Sequence, residues 1–350
     1  MTGEQSILYR FGESETLVHF CRGIDAEVFT SDSGLLRVYD ANTVRLGCFQ
    51  AFGRRIVLPA GERSKSWGGA RRVLRAALRA GLGRDGLIVG VGGGMICDLA
   101  AFAASLYMRG CRLQLVPTTL LAMVDAALGG KTGINFGGYK NTAGTFYPAE
   151  QIWVDPAVLE HLPDREFRSG LGEVIKTALL GDRDLLAILQ SESGRVLARE
   201  RRLMERIVGR CLAVKAGIVA EDLRESGRRA VLNLGHTFAH ALEARTHYRL
   251  WSHGQAVAWG LVQAAALSRS LGLAEEGYTE EVRRLVDLYG FELRSPCAPE
   301  KLVPMMQADK KNRAGKLRLV LQRGIGDTVI REVDPQAIVE ILGQTARSMG

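Results

Sequence analysis

None of the six cysteines in this 350-residue chain (Cys21, Cys48, Cys97, Cys111, Cys211, Cys297) forms a C-x-x-C pair, which argues against both a zinc ribbon and a disulfide framework. Most are expected to be buried thiols in a reducing compartment. No apolar run is long enough to span a bilayer, and the opening residues MTGEQSILYRFGESETLVHF carry charges throughout with no apolar stretch of the signal-peptide kind. Neither a membrane nor an export route is expected, and the reading is cytoplasmic. Basic blocks are also missing: 46 Lys+Arg stand against 38 Asp+Glu, a formal charge of +8 spread along the chain without interleaved aromatics. That pattern reads as a solvated surface before a nucleic-acid footprint, and leaves room for a basic site that takes a small polyanion.

What is present describes a globular α/β protein. With 47% apolar residues over this length a large core can be buried, and two domains are expected more than one. Up to about residue 157, short β-rich runs (Leu36 to Tyr39, Arg55 to Leu58, Leu87 to Val89, Leu113 to Val116, Gln151 to Val154) alternate with helical patterns such as Gly68 to Ala80. That is the alternation of a parallel sheet. From about 158 the pattern turns helical over Arg195 to Asp222, Ala230 to Ala244 and Gly254 to Ser270. A hairpin-like stretch, Leu317 to Val333, with Gly324 and Gly326 at its turn, precedes a last helix from Pro335. The expected domains are 1–157, α/β, and 158–350, α-helical.

One local signal stands out in the first half. Val91-Gly92-Gly93-Gly94-Met95-Ile96-Cys97-Asp98 joins an apolar strand to an Ala-rich helix, so bare backbone meets the positive end of a helix dipole, a place for a phosphate or pyrophosphate. It has neither G-x-G-x-x-G nor P-loop spacing, and a merely tight turn reads the same way.

Histidine is scarce, six in all, and three share one window: His236, His240 and His253. A spacing of four puts His236 and His240 on one helical face, and the glycines beside His236 and His253 let backbone or ligand come close. Two imidazoles and a carboxylate make a catalytic metal site with open positions. The candidate carboxylate is Glu173, which with Lys176 forms a charged i, i+3 pair inside an apolar, small-residue run. The alternative is ordinary hydrogen-bonded histidines. A Gly-rich stretch from Asp125 through Lys131 and Asn135 to Lys140 and Asn141 suits a phosphate or carboxylate, or is a solvated loop. Arg228-Arg229 and Asp309-Lys310-Lys311-Asn312 read as surface taken alone, and His19, His161 and His247 as structural.

Taken in order, these segments resemble the dehydroquinate synthase family of sugar-phosphate cyclases, which shares its fold with glycerol dehydrogenase and the iron-type alcohol dehydrogenases. The resemblance runs from about Asp40 to Asn312 and includes Pro59 to Lys65, Gly92 to Asp98, Tyr107-Met108-Arg109-Gly110, Pro117 to Leu121, Asp125 to Asn141, Glu173 with Lys176, Arg229 to His240, His253, and Asp309 to Asn312. It implies a Rossmann-like N-terminal domain that binds NAD and a C-terminal helical domain that holds a divalent metal, Zn or Co, and the substrate, a phosphorylated sugar acid.

Residue by residue, the resemblance implies that Asp40, Glu62 and Lys65 bind the adenosine side of NAD. Gly93, Gly94, Met95 and Asp98 would hold pyrophosphate and ribose, and Thr118, Thr119, Leu121, Lys140, Asn141, Leu162 and Glu166 the nicotinamide half. Glu173, His236 and His253 match the metal ligands. Asp125, Lys131, Lys176, Arg229, Asn233, His240 and one of Lys310 or Lys311 match substrate contacts, and Arg109 matches an arginine that reaches the substrate phosphate from the neighbouring subunit of a homodimer. The family usually has threonine at His161, glutamate at Gln255 and glycine at Cys97. Another sugar-phosphate cyclase or a metal-dependent polyol dehydrogenase of the same fold is the alternative, and a nucleic-acid-binding role rests on net charge alone.

Overall fold

The computed structural model describes residues 5–23, 34–46, 53–225, 227–307 and 316–348. By their contacts the residues group into two units, Met1–Pro163 with Met204–Arg224, and Asp164–Leu203 with Glu225–Gly350. The division read from the sequence at 157/158 differs chiefly in Met204–Arg224, a helical segment that packs with the first unit.

The first unit is built on a seven-stranded sheet. Its strands are β1 (Gln5–Phe11), β2 (Ser14–Phe20), β3 (Leu35–Asp40), β4 (Arg55–Leu58), β5 (Leu87–Gly92), β6 (Arg112–Pro117) and β9 (Gln151–Val154), in the order β1-β2-β9-β6-β5-β3-β4. All neighbours run parallel except the β1/β2 hairpin at one edge. Every residue of β5 is buried, as expected of a central parallel strand covered on both faces. Helix α1 (Trp67–Arg79) is amphipathic and starts at Ser66, whose side chain accepts from the Gly69 N–H. Helix α2 (Gly94–Leu106) is buried along most of its length, with small alanines that let it lie close to β5: a Cβ on Gly90 would stand 2.8 Å from that of Ala100.

Three stretches differ from their sequence reading. The Gly-rich segment read as a loop is largely an antiparallel hairpin, β7 (Lys131–Phe136) and β8 (Tyr139–Phe146), preceded by a π-helical turn over Ala122–Ala126. No residue of β8 is fully buried, and small or polar residues fill its half-buried positions, so no apolar period-two pattern marks it. The helix read as Ala230 to Ala244 is two pieces, a 3₁₀ turn over Arg228–Asn233 and α7 (His236–Arg245), because Gly235 between them takes φ +76°. The β1/β2 hairpin is an addition to the strands expected from the sequence.

The second unit contains α3 (Asp164–Leu179), α4 (Arg183–Ser191), α5 (Ser193–Leu197), the start of α6 (Arg201–Glu221), α7, α8 (His253–Ser270), α9 (Glu276–Leu288) and α10 (Pro299–Gln307). The hairpin β10 (Leu317–Gly324) with β11 (Asp327–Val333) and the last helix α11 (Pro335–Ser348) complete it. The rest of α6 lies in the first unit. Among the described residues no helix is long and apolar enough to cross a membrane.

Candidate metal centre and cofactor site

Three backbone contacts assemble the histidine cluster. A Cβ on Gly254, the residue after His253, would stand 1.7 Å from the Ser169 carbonyl oxygen of α3, and a Cβ on Gly172, beside Glu173, would stand 2.2 Å from the Gly254 oxygen. Gly235, just before His236, and Gly260 of α8 meet in the same way, with 2.2 Å between a Cβ on Gly260 and the Gly235 oxygen. Only hydrogen side chains permit these approaches, and they bring α3, α7 and α8 close enough for one residue of each to converge.

Those residues are Glu173, His236 and His253. Nε2 of each imidazole lies 3.4 Å from Glu173 Oε1, and the three ligand atoms lie within 4.8 Å of one another. Two atoms each 2.0–2.1 Å from one tetrahedral ion stand roughly 3.4 Å apart, so the spacing suits a divalent ion of zinc's size. The carboxylate is fully buried, and neither oxygen has a partner of good hydrogen-bond geometry. Oε2 is neutralised by Lys176 Nζ at 2.5 Å, one helical turn along, which leaves Oε1 facing the imidazoles. An orphaned carboxylate oxygen aimed at two imidazole nitrogens fits an ion well.

The outer nitrogens are held as well. His236 Nδ1 lies 3.2 Å from the Leu234 carbonyl, and His253 Nδ1 lies 3.3 Å from Oε2 of Glu243, a carboxylate 3% exposed on α7. Burial pushes the His236 imidazole well below its ordinary value, assisted by Lys176 and the neighbouring histidines. Burial acts the same way on His253, but Glu173 and Glu243 outweigh it and raise that imidazole to about 10. For Glu173 burial would raise the carboxyl, yet Lys176, His236 and His253 hold it well below its usual range.

Around the cluster, His240 lies on the His236 face of α7, its ring 5.4 Å from that of His236. Arg229 is buried to 1% exposure, a strong departure for a guanidinium. Asn233 donates to Glu225 Oε1 at 2.7 Å. Gln255 occupies the third position of α8, where its side chain accepts from the Ser252 N–H while Ser252 accepts from the Gln255 N–H. This capping box takes Gln as readily as Glu, so the departure at Gln255 keeps the helix start that presents His253.

In the first unit, Asp40 closes β3 and Gly92 closes β5. These strands are neighbours at the point where the order of connection through the sheet reverses, the crevice in which open α/β sheets take their ligands. One Asp40 oxygen accepts from the N–H groups of Asn42 and Thr43. Gly93 is the uncapped N-cap of α2, and Gly94 and Met95 follow it. Gly92 serves packing instead: a Cβ there would meet Ile96 at 2.7 Å. The buried Lys65 is paired with Asp98 and accepts no apolar role, since it also donates to the Asn141 side chain. Asn135 joins the same polar network by donating to Glu62 at 2.9 Å and accepting from the Asn141 N–H. Burial raises the Asp98 carboxyl and Lys65 opposes it. Cys97 is buried, its thiol pushed up by burial and 3.6 Å from the Gly92 oxygen. Thr118 is buried, Thr119 caps Ala122, and Leu121 and Lys140 are half-buried. Leu162 ends a 3₁₀ turn that includes the exposed His161, and Glu166 lies exposed in the first turn of α3, in the other unit.

Asp125 lies in the π-helical turn and pairs with Lys215 Nζ of α6 at 2.6 Å. Sequence reading missed Lys215, Glu225 and Glu243: Lys215 and Glu243 are single charges in helical stretches, and Glu225 is one of several charges in a polar run. Lys131 is exposed at the start of β7. Arg109 is exposed and, like Met108 before it, has positive φ, 65° and 51°. Lys310 and Lys311 lie outside the described residues.

Residues 55–169 match the family model for the N-terminal part of 3-dehydroquinate synthase and 170–312 that for its C-terminal part. The chain is 45% identical over 289 residues to a 3-dehydroquinate synthase of Acidithiobacillus ferrooxidans, covering 82% of this chain and 79% of the relative. It is 38% identical over 352 residues to that of Pelobacter propionicus, covering 97% of each. Among solved structures, 2-epi-5-epi-valiolone synthase of Streptomyces hygroscopicus, with NAD+ and Zn2+ bound, superposes with a TM-score of 0.86 at 26% identity over 99% of both chains. A 2-deoxy-scyllo-inosose synthase, complexed with carbaglucose-6-phosphate, NAD+ and Co2+, gives 0.86 at 22% identity, over 97% of this chain and 99% of the other.

Proposed function

The chain belongs to the 3-dehydroquinate synthase family, and from that premise we propose that it is a carbon–oxygen lyase that converts 3-deoxy-D-arabino-heptulosonate 7-phosphate to 3-dehydroquinate and phosphate, the shikimate-route reaction. NAD, returned unchanged, and one divalent ion, Zn2+ or Co2+, are its cofactors. The observation that carries the reading is the buried, orphaned Glu173 oxygen aimed at two imidazole nitrogens. Glu173, His236 and His253 would hold the ion, and Asp40, Glu62, Lys65, Gly93, Gly94, Met95, Asp98, Thr118, Thr119, Leu121, Lys140, Asn141, Leu162 and Glu166 the dinucleotide. When bound, the ion supplies a Lewis acid for a hydroxyl or ketone oxygen, and the nicotinamide a reversible hydride acceptor.

The chain's own residues supply the rest. Next to a ketone, a ring C–H is acidic, and its loss lets the adjacent C–O bond break with the electron pair leaving on phosphate. His240, one turn from His236, would move that proton or hold a water. Lys131, Arg229 and the Lys310/Lys311 pair, with Arg109 contributed by a second copy of the chain, would orient the phosphate by charge-assisted contacts. Against the burial that would raise it, Lys176 with the two imidazoles holds the Glu173 carboxyl below its usual range, which favours the carboxylate as the ligand. Asp125 with Lys215 offers a paired acceptor and donor for substrate hydroxyls. Asn233 and His240 can donate to the carboxylate beside the substrate's ring carbon.

A homodimer agrees with the surface next to Arg109. Leu106 and Met108 are exposed, and the end of α2 is tied to β8, which bears the exposed Phe146, by the Thr145–Ser105 hydrogen bond. A fully active monomer in sedimentation at assay concentration would contradict it. A cytoplasmic location agrees with five described cysteines that are free, four of them buried.

The reading is tested by kcat/KM measured side by side on the heptulosonate phosphate, sedoheptulose 7-phosphate and glucose 6-phosphate. The last two lack the carboxylate that Asn233 and His240 would meet, so they should be poorer substrates. Comparable turnover of either would overturn the assignment within the cyclases.

A further inference from the structure

Helix α7 carries His236, and seven residues later, two turns along the same face, it carries Glu243. Glu243 is 3% exposed, and its Oε2 lies 3.3 Å from Nδ1 of His253, a residue of the next helix. The two nitrogens of an imidazole point away from each other. A group on Nδ1 therefore lies outside the coordination sphere of an ion held on Nε2, which removes Glu243 from the candidate ligands and leaves it the ring's other contact. His236 has the equivalent contact, but there the acceptor is the Leu234 main-chain carbonyl.

We infer that Glu243 is a positioning residue of the metal centre: it accepts the Nδ1–H of His253, fixes the tautomer that presents Nε2, and locks the ring toward Glu173. The inference rests on the reading of Glu173, His236 and His253 as metal ligands. Two further facts support it. His253 is the most exposed of the three, its side chain at 28% against 12% for His236 and 1% for Glu173, so packing alone restrains its ring least. It is also the first residue of α8, where no preceding helical turn braces the side chain. A carboxylate in that place fixes orientation and raises ligand basicity, and being charged it does so more strongly than the neutral carbonyl behind His236. The two histidine ligands are thus unequal, and only His253 depends on a replaceable side chain.

The test uses the full-length protein with Co2+ as probe, reading three quantities: the dissociation constant from chelator competition, the visible spectrum of the bound ion, and the melting temperature of the metal-free form. Glu243→Gln, which keeps an acceptor and loses the charge, should weaken Co2+ binding about tenfold; Glu243→Leu should weaken it about 100-fold and change the spectrum. Glu243→Asp should recover part of the loss. Should Glu243→Leu fail to fold, the Gln variant decides. Wild-type affinity and an unchanged spectrum in Glu243→Gln, with or without a change in melting temperature, would overturn the positioning role and leave the ligand set standing. A Glu173→Gln variant that binds Co2+ like the wild type would overturn the ligand set, and this inference with it.

Discussion

Replacing Gly254 by alanine tests whether close backbone approach, rather than the ligands alone, builds the metal centre. The added Cβ would stand 1.7 Å from the Ser169 oxygen. A carbon and an oxygen without a bond between them settle no closer than about 3.3 Å, so the first turn of α8 must move by roughly 1.5 Å from α3. His253 begins that turn and would move with it. Metal-ligand distances tolerate only about ±0.2 Å, so the shift is several times what the site can absorb. Gly254→Ala should therefore weaken Co2+ binding at least about 100-fold, or roughly 2.8 kcal/mol. The same overpacking should cost the metal-free protein about 1–3 kcal/mol, which leaves it folded. Chelator competition and thermal melting separate the two effects. Gly277→Ala is the control, since a Cβ there meets nothing within 4 Å; His236→Ala, folded but unable to bind the ion, sets the opposite limit. Wild-type Co2+ affinity in Gly254→Ala would refute the reasoning.

Two more outcomes follow from the site's electrostatics and from the glycine turn. His253 is raised to about 10 in the ion-free protein, above its ordinary value, so its proton stabilises that form fully below about pH 6.5 and is lost as pH climbs toward 10. An ion must displace this proton, so affinity should rise up to about tenfold per pH unit across that window, with one proton released per ion at pH 7.5. Calorimetry in buffers of different ionisation enthalpy measures the release, and a flat affinity with none would contradict the assignment. At the other unit, Gly93→Val places its first added carbon 3.0 Å from Thr119 Cγ2, over the backbone that should meet pyrophosphate. It should weaken NAD binding at least tenfold, roughly 1.4 kcal/mol, and leave metal content unchanged; unaltered NAD affinity by titration would make the turn purely structural.

Much of the fold was legible because burial leaves a mark on residue type. The expected runs at Leu36, Arg55, Leu87, Leu113 and Gln151 became β3, β4, β5, β6 and β9, since strands in a covered parallel sheet must be apolar and β-rich. The β7/β8 hairpin left no such mark, because β8 alternates exposed with half-buried residues and is rich in small and polar ones. Helix α6 was legible as a helix, but a 3.6-residue period does not say what its face packs against, hence the unforeseen grouping of Met204–Arg224. At the site, Glu173 could be read because a charge inside an apolar run is costly without a use, and His236 and His253 because each adjoins a glycine. Glu243 and Lys215 could not: on their helices they look like any other charge until a partner from another element stands opposite.

The central claim, phosphate elimination through a dinucleotide that is not consumed, is tested most directly by phosphate release from the heptulosonate substrate with NAD limited to one equivalent per protein chain. Many phosphates released per NAD, with no build-up of NADH, is the predicted result. Release that stops after one turnover, or NADH accumulating in step with product, would contradict it and point to a dehydrogenase of the same fold.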